Sequence, residues 1–259
     1  MSVVAVASVR SCGVTTLTAG LAMVWPGQRQ RLVVEADPAG ATLAAAAGLF
    51  CEPGLVSLAA AARRDYEPMI ALEHAQPLPG GSAVLCGPPS AERARSALTM
   101  LSGLLGRLRE LDAEVFVDCG RIEPAASNAT YLDHADLDVL AVRPRLADLH
   151  ALGSFLQNST ERRRPLALVL IGSGTSQGAE VGDALGVRVA GQIPWDPDAA
   201  QALACMSVDS RQLTRTPLVR ALRTLADVLA NGIESASSQA RVASAATENG
   251  HVSAIEAAP

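Results

Sequence analysis

Lysine is missing from this sequence altogether: all 21 Lys/Arg positions are arginine. On exposed faces the exchange costs little. A lysine that touches phosphate is harder to replace, because it works as a compact point charge inside a tight loop. Aromatic residues make up only 3% of the 259 positions, so a core has to be built from alanine, valine and leucine. The five cysteines (Cys12, Cys51, Cys86, Cys119, Cys205) are scattered without a C-x-x-C pair. That argues against a zinc site and a disulfide framework, and for a reducing, cytoplasmic setting. No uncharged run approaches the ~18–20 residues that span a bilayer, so membrane insertion is not expected. The net charge of −5 offers no general attraction to nucleic acid or anionic lipid. The apolar N-terminal run is broken early by Arg10 and follows no basic segment, so it reads as a strand rather than a signal peptide.

What is present is a hydrophobic content of 49%, enough for a packed domain. Short apolar runs at 3–8, 31–36, 82–87, 114–119, 138–143, 166–172 and 187–193 read as strands. Most are continuously apolar, as parallel strands covered on both faces should be. Helical patterns lie between and after them, at 15–24, 54–64, 90–110, 145–157, 176–185, 198–206 and 216–230. The alternation predicts an α/β fold, a doubly wound, mainly parallel sheet of about seven strands with helices on both faces. Residues 65–81 fit least well and leave room for a short extra strand forming a hairpin into "SAVLCG". One domain is expected over 1–230, followed by a disordered Ala/Ser-rich tail over 231–259.

Ligands of an open parallel sheet sit beyond the carboxyl ends of its strands. Three such ends carry suggestive groups. The first runs into "SVRSCGVTTLTAGLA" (8–22), where Gly13 permits close backbone approach and Thr15 and Thr16 open a helix whose N-terminus would face an anion. The second ends in "EADPAG", offering Asp37; the fourth ends in "VFVDCG", offering Asp118, which could hold Mg²⁺ through water. Each has a plainer reading. Gly13-Val14-Thr15 also suits a turn with a threonine helix cap, Asp37-Pro38 a turn opener, and Asp118 a simple strand end.

The ordered trio resembles the ParA/MinD group of deviant Walker ATPases within the P-loop NTPases, over roughly residues 2–230. The group's K-G-G-V-G-K-T-T loop, aligned by its terminal Thr-Thr, falls on Val9, Arg10, Ser11, Cys12, Gly13, Val14, Thr15 and Thr16. Its D-x-D-P falls on "EADP", with Glu35 for the first acid and Asp37 for the second, and its Walker B aspartate on Asp118. "ADLDVLAVRPRLADL" and "VAGQIPWDPDAAQAL" resemble its later strand–helix units. The likeness is strongest to lysine-lacking actinobacterial variants with "GVTT" and "DPAG", some of which look like partners of pilus or secretion assembly ATPases.

That resemblance implies ATP or ADP with Mg²⁺ at residues 10–16, Thr15 and Asp118 on the metal, and Asp37 as the catalytic carboxylate. Trp195 either flanks a base or packs in its loop. Val14 takes the place of the phosphate-binding lysine, and Val9 that of the lysine that crosses a dimer interface. No amide stands near Ile171-Gly172, where the group has its base-binding asparagine. One charge-assisted hydrogen bond to phosphate contributes on the order of 1.5–3 kcal/mol, about ten- to a hundredfold in affinity. The expectation is therefore a degenerate site that binds nucleotide weakly in a positioning or regulatory adaptor, working with a protein partner such as a localised machine or assembly ATPase. Two alternatives stay open: a slow ATPase using Arg10 in place of the lysine, and a scaffold without nucleotide. A homodimer is compatible with either. "ERRRP" (161–165) reads as a solvated loop, and the tail has no basic amphipathic helix for membrane attachment. Val14→Lys should tighten ATP binding more than Val14→Ala changes it, because only lysine adds charge opposite the triphosphate. Dissociation constants of the three proteins check this, and no gain with lysine means the loop is not a phosphate cradle.

Overall fold

The computed structural model describes residues 1–64, 66–78, 81–122, 134–158, 165–174, 178–205 and 213–255. The elements in chain order are β1 (Val3–Ser8), α1 (Val14–Val24), β2 (Gln30–Glu35), α2 (Leu43–Ala46), α3 (Leu55–Ala61), α4 (Ile70–Glu73), β3 (Gln76–Pro77), β4 (Ser82–Leu85) and α5 (Ala91–Gly106). After a short 3₁₀ turn at Leu108–Glu110 come β5 (Ala113–Arg121), β6 (Leu137–Val142), α6 (Leu146–Gln157), β7 (Leu166–Ile171), α7 (Gly178–Leu185), β8 (Val189–Ile193), α8 (Pro197–Cys205) and α9 (Pro217–Ile255).

The strands form one sheet in the order β3-β4-β2-β5-β1-β6-β7-β8. Every pairing is parallel except β3 with β4, the hairpin for which 65–81 left room. That two-residue strand accounts for eight strands against about seven expected. Successive side chains alternate between two buried faces. Val3, Ala5 and Ala7 of β1 and Val115 and Val117 of β5 pack under α3, α5, α6 and α7. Val4 and Val6 of β1 and Phe116 of β5 pack under α1, α8 and α9. With few aromatics available, Trp25 at the end of α1 meets Phe116 edge-on, centroids 5.0 Å apart.

Two differences from the sequence reading follow from local chemistry. The short helices α2 and α4 span four residues each, too few for a periodic pattern to show. At the other end, α9 runs past residue 230 to Ile255, so the tail boundary at 231 does not coincide with the end of an element. Its alanine, serine, glutamine and glutamate residues are compatible with helix, and no proline interrupts them before Pro259. The "ERRR" segment lies outside the described residues.

Helix α9 is held by Leu218, Val219, Leu222, Leu225, Ala226 and Leu229, all buried on the α1 face. Leu222→Ala should cost ~2–5 kcal/mol through the cavity it leaves. The expected result is a lower urea midpoint with an unchanged m-value, read from an equilibrium denaturation curve.

Candidate functional site

The parallel pairing of β2, β5 and β1 delivers three loops to one edge of the sheet. Glu35 lies in register with Asp118, and Val6 with Asp118 on the other side. The backbone N–H of Ala36 donates to the Asp118 carbonyl at 2.8 Å, so β2 stays zipped to β5 through its last residue. The next residue, Asp37, is thereby set beside the turn that follows Asp118.

Asp118 is buried, with 2% of its surface exposed. Its Oδ1 accepts from the Gly120 N–H at 2.9 Å, and its carboxylate is also bonded by the Thr15 side chain. Burial pushes its pKa up to about 6; the two hydrogen bonds oppose this and the charge of Asp37 adds to it. Gly120 has φ of 59°, and a Cβ there would fall on the Asp37 carboxylate. Glycine is needed twice over: for the left-handed turn and for the space. Asp37 accepts from the Ala39 N–H at 2.7 Å in a local turn, and burial raises its pKa against the pull of Arg121. Thr15, Asp37 and Asp118 are thus brought together.

The loop after β1 closes with Gly13 at φ 99°, and no side chain caps the first turn of α1 behind it. Amide N–H groups at an uncapped helix start are donors for an anion. Thr16 and Gly13 line a cleft of about 110 Å³ together with Cys12, Trp195, Asp196 and Leu222. The cradle and the Thr15/Asp118 pair fit a nucleotide phosphate chain with Mg²⁺, which takes one or two protein oxygens and keeps several waters. Among the described residues no group of three or more His, Cys, Asp or Glu could hold a metal by itself.

The remaining predicted residues are placed as follows. Val14 is buried in the α1-face core, and its carbonyl accepts from the Thr18 hydroxyl at 2.9 Å. Arg10 is paired with Asp148 of α6 at 3.7 Å. Cys12 is buried beside Ser8, and burial pushes its thiol up to about 11, so it is an inert thiol at neutral pH. Trp195 is 57% exposed at the end of β8, held beside Gly172 by the Gly172 N–H donating to the Ile193 carbonyl at 2.8 Å. Asp196 caps α8 through the Ala199 N–H at 3.0 Å, with Pro197 opening the helix.

Arg143 escaped the sequence reading, and Glu35 entered it only as a motif exchange. Arg143, at the end of β6, places its guanidinium over the Trp195 ring at 4.4 Å from the centroid. "VRPRL" carried the signal, a cation at a strand end before proline, but only the fold shows what it faces. Glu35 is buried and accepts from the Leu43 N–H at 2.7 Å and the Thr42 and Gly87 N–H groups at 3.2 Å each. It fastens the loop carrying Asp37 to the end of β4.

No family model matches the chain, and no curated protein matches it. Solved structures do. The ParA family ATPase from Chlorobium tepidum TLS aligns with a TM-score of 0.71 at 18% identity, covering 87% of this chain and 98% of its own. MinD in the MinC:MinD cell division complex of Aquifex aeolicus gives 0.68 at 15%, covering 89% and 96%. The septum site-determining protein MinD of Pyrococcus horikoshii OT3, complexed with Mg-ADP, gives 0.66 at 18%, covering 87% and 96%. The chain has the α/β fold of the ParA and MinD ATPases.

Burial raises Glu35 from an ordinary 4.5 to about 7, outweighing three amide donors that favour the ionised form, and Asp118 from 3.8 to about 6. Both bind their proton more tightly folded than unfolded. Their stabilisation is present at low pH and is lost as pH rises, through 4.5 to about 7 for Glu35 and 3.8 to about 6 for Asp118. The melting temperature should fall by about 5 °C or more between about pH 5 and pH 8, a slope that Glu35→Gln should flatten, read by scanning calorimetry.

Proposed function

We propose that this chain is a lysine-lacking member of the ParA/MinD group, acting as a positioning or regulatory adaptor whose site binds ATP or ADP with Mg²⁺ weakly. The observation that carries the reading is the meeting of Thr15, Asp118 and Asp37 at the uncapped start of α1, with Val14 in the place of the lysine. The fold relatives support it: one was solved with Mg-ADP and another in complex with MinC.

On this reading the first-turn amides of α1 hold the phosphates. Thr15 and Asp118 hold Mg²⁺, directly or through water, and the ion offsets phosphate charge. Asp37 is the catalytic carboxylate, placed to orient a water. Neither carboxylate supplies positive charge where the transferred phosphoryl gains negative charge. A single cation at that point contributes ~10³–10⁵ in rate, so hydrolysis is very slow or absent. The loss of lysine character at Val9 also weakens dimerisation across nucleotide. The protein works in the cytoplasm through a protein partner, a localised machine or an assembly ATPase. No described helix is long and apolar enough to cross a membrane.

Titration calorimetry with Mg-ATP should give weak but saturable binding. Phosphate release should not exceed that of an Asp37→Ala control, and ATP should leave the mass in light scattering unchanged. Turnover that vanishes in Asp37→Ala would make the protein a slow ATPase, and absence of any binding would make it a scaffold without nucleotide.

A further inference from the structure

The loop after β1 carries one cation, Arg10, and the structure pairs it with Asp148. A second cation reaches the same edge from the neighbouring strand. β6 lies directly against β1, with Ala7 opposite Leu140, so the end of β6 opens beside the Gly13 loop. Arg143 stands there, three residues beyond Leu140. It is half-buried, and its Nε is shielded from solvent with no hydrogen-bond partner among the described residues. A guanidinium nitrogen so placed forgoes a charge-assisted hydrogen bond that an incoming acceptor could restore.

What holds Arg143 is the face of Trp195, at 4.4 Å. A cation–π contact at a partly open site contributes only ~0.5–2 kcal/mol, so a phosphate can displace it. Trp195 lines both the cleft that contains Cys12, Gly13 and Thr16 and a second cleft of about 170 Å³ lined by Arg143, Arg145, Gly172 and Ser173. The two clefts meet at Trp195 and Ile171. Arg143 also lies close enough to Cys12 for its charge to favour the thiolate, which places it within electrostatic reach of the loop itself.

We propose that Arg143, released from Trp195, supplies the positive charge that the lysine-free loop lacks, by bonding the phosphate chain of a nucleoside di- or triphosphate held at Gly13–Thr16. This rests on the nucleotide-binding reading above and adds to it the residue that makes binding possible without lysine. It also assigns the role to β6 rather than to Arg10.

The test is titration calorimetry with Mg-ADP on the full chain and on Arg143→Ala, Arg143→Gln, Arg143→Lys and Arg10→Ala. Binding should weaken about ten- to a hundredfold in the alanine and glutamine variants, and less in the lysine variant, which keeps the charge. Arg10→Ala should weaken binding less than Arg143→Ala does, and the reverse order would return the role to Arg10. Trp195 emission, followed in a Trp25→Phe background, should change on adding Mg-ADP as the guanidinium leaves the ring, and should not respond in Arg143→Gln at the same concentration. Melting curves identify any variant that fails to fold, and the glutamine and lysine pair then decides. Parent-like affinity in Arg143→Gln overturns this proposal and leaves the nucleotide-binding reading standing. A parent protein that binds no Mg-ADP overturns both.

Discussion

The site depends on a carboxylate kept in a place where carboxylates are costly. Asp118 sits inside β5, three residues before its end, with almost no access to water. Burying a charge without partners costs many kcal/mol, so the surroundings must either satisfy it or leave it protonated. Here both solutions operate in part. The Thr15 side chain and the Gly120 N–H bond it, and the remaining penalty appears as a pKa raised to about 6. Thr15, in the first turn of α1, meets that carboxylate, so the start of the helix lies against β5. The bond from Gly120 holds a left-handed residue in a bulge of β5 against β1, which leaves the gap that Asp37 fills. One constraint at the sheet edge therefore sets the positions of three loops.

Around that carboxylate the charges divide. On the β2–β5 side lie Glu35, Asp37 and Asp118, all with raised pKa values because burial outweighs their hydrogen bonds. On the β6–β8 side lie Arg143 over Trp195 and Arg145 beside them. A lysine in the loop would place positive charge between the two groups; with valine there, the gap is closed by apolar packing. An anion entering this edge meets helix amides in the centre, buried carboxylates on one flank, and guanidinium on the other. Glu35 contributes by position. Its three amide bonds span the Asp37 loop and the end of β4, so the approach of Asp37 to Gly120 is supported from below.

The strands and the main helices were legible because continuous apolar runs and 3.6-residue periodicity report burial directly. Gly13, Asp37 and Asp118 were legible because each lies at or just beyond a run expected as a strand, and the ends of parallel strands share one edge of a sheet, although β5 continues past Asp118 to Arg121. By contrast, α2 and α4 are too short to generate a pattern, and the continuation of α9 past 230 lies in residues whose composition suits helix and coil alike.

Side-chain partners across the sheet could not be read from residue order. Arg10 was one alternative to the missing lysine because it lies in the loop itself, and a salt bridge to α6 engages it. Arg143 is 129 positions further along the chain than Val14 and comes beside the loop only because β6 pairs with β1. Glu35 looked like a conservative exchange in a motif and proved to be a buried acceptor of three amides. The sequence by itself determined the class of fold, the strand ends that meet and the absence of lysine from the loop, since these follow from local pattern and composition. Only the tertiary structure decided which charge faces which, because distance through space is set by strand order, and strand order is not written in any one segment.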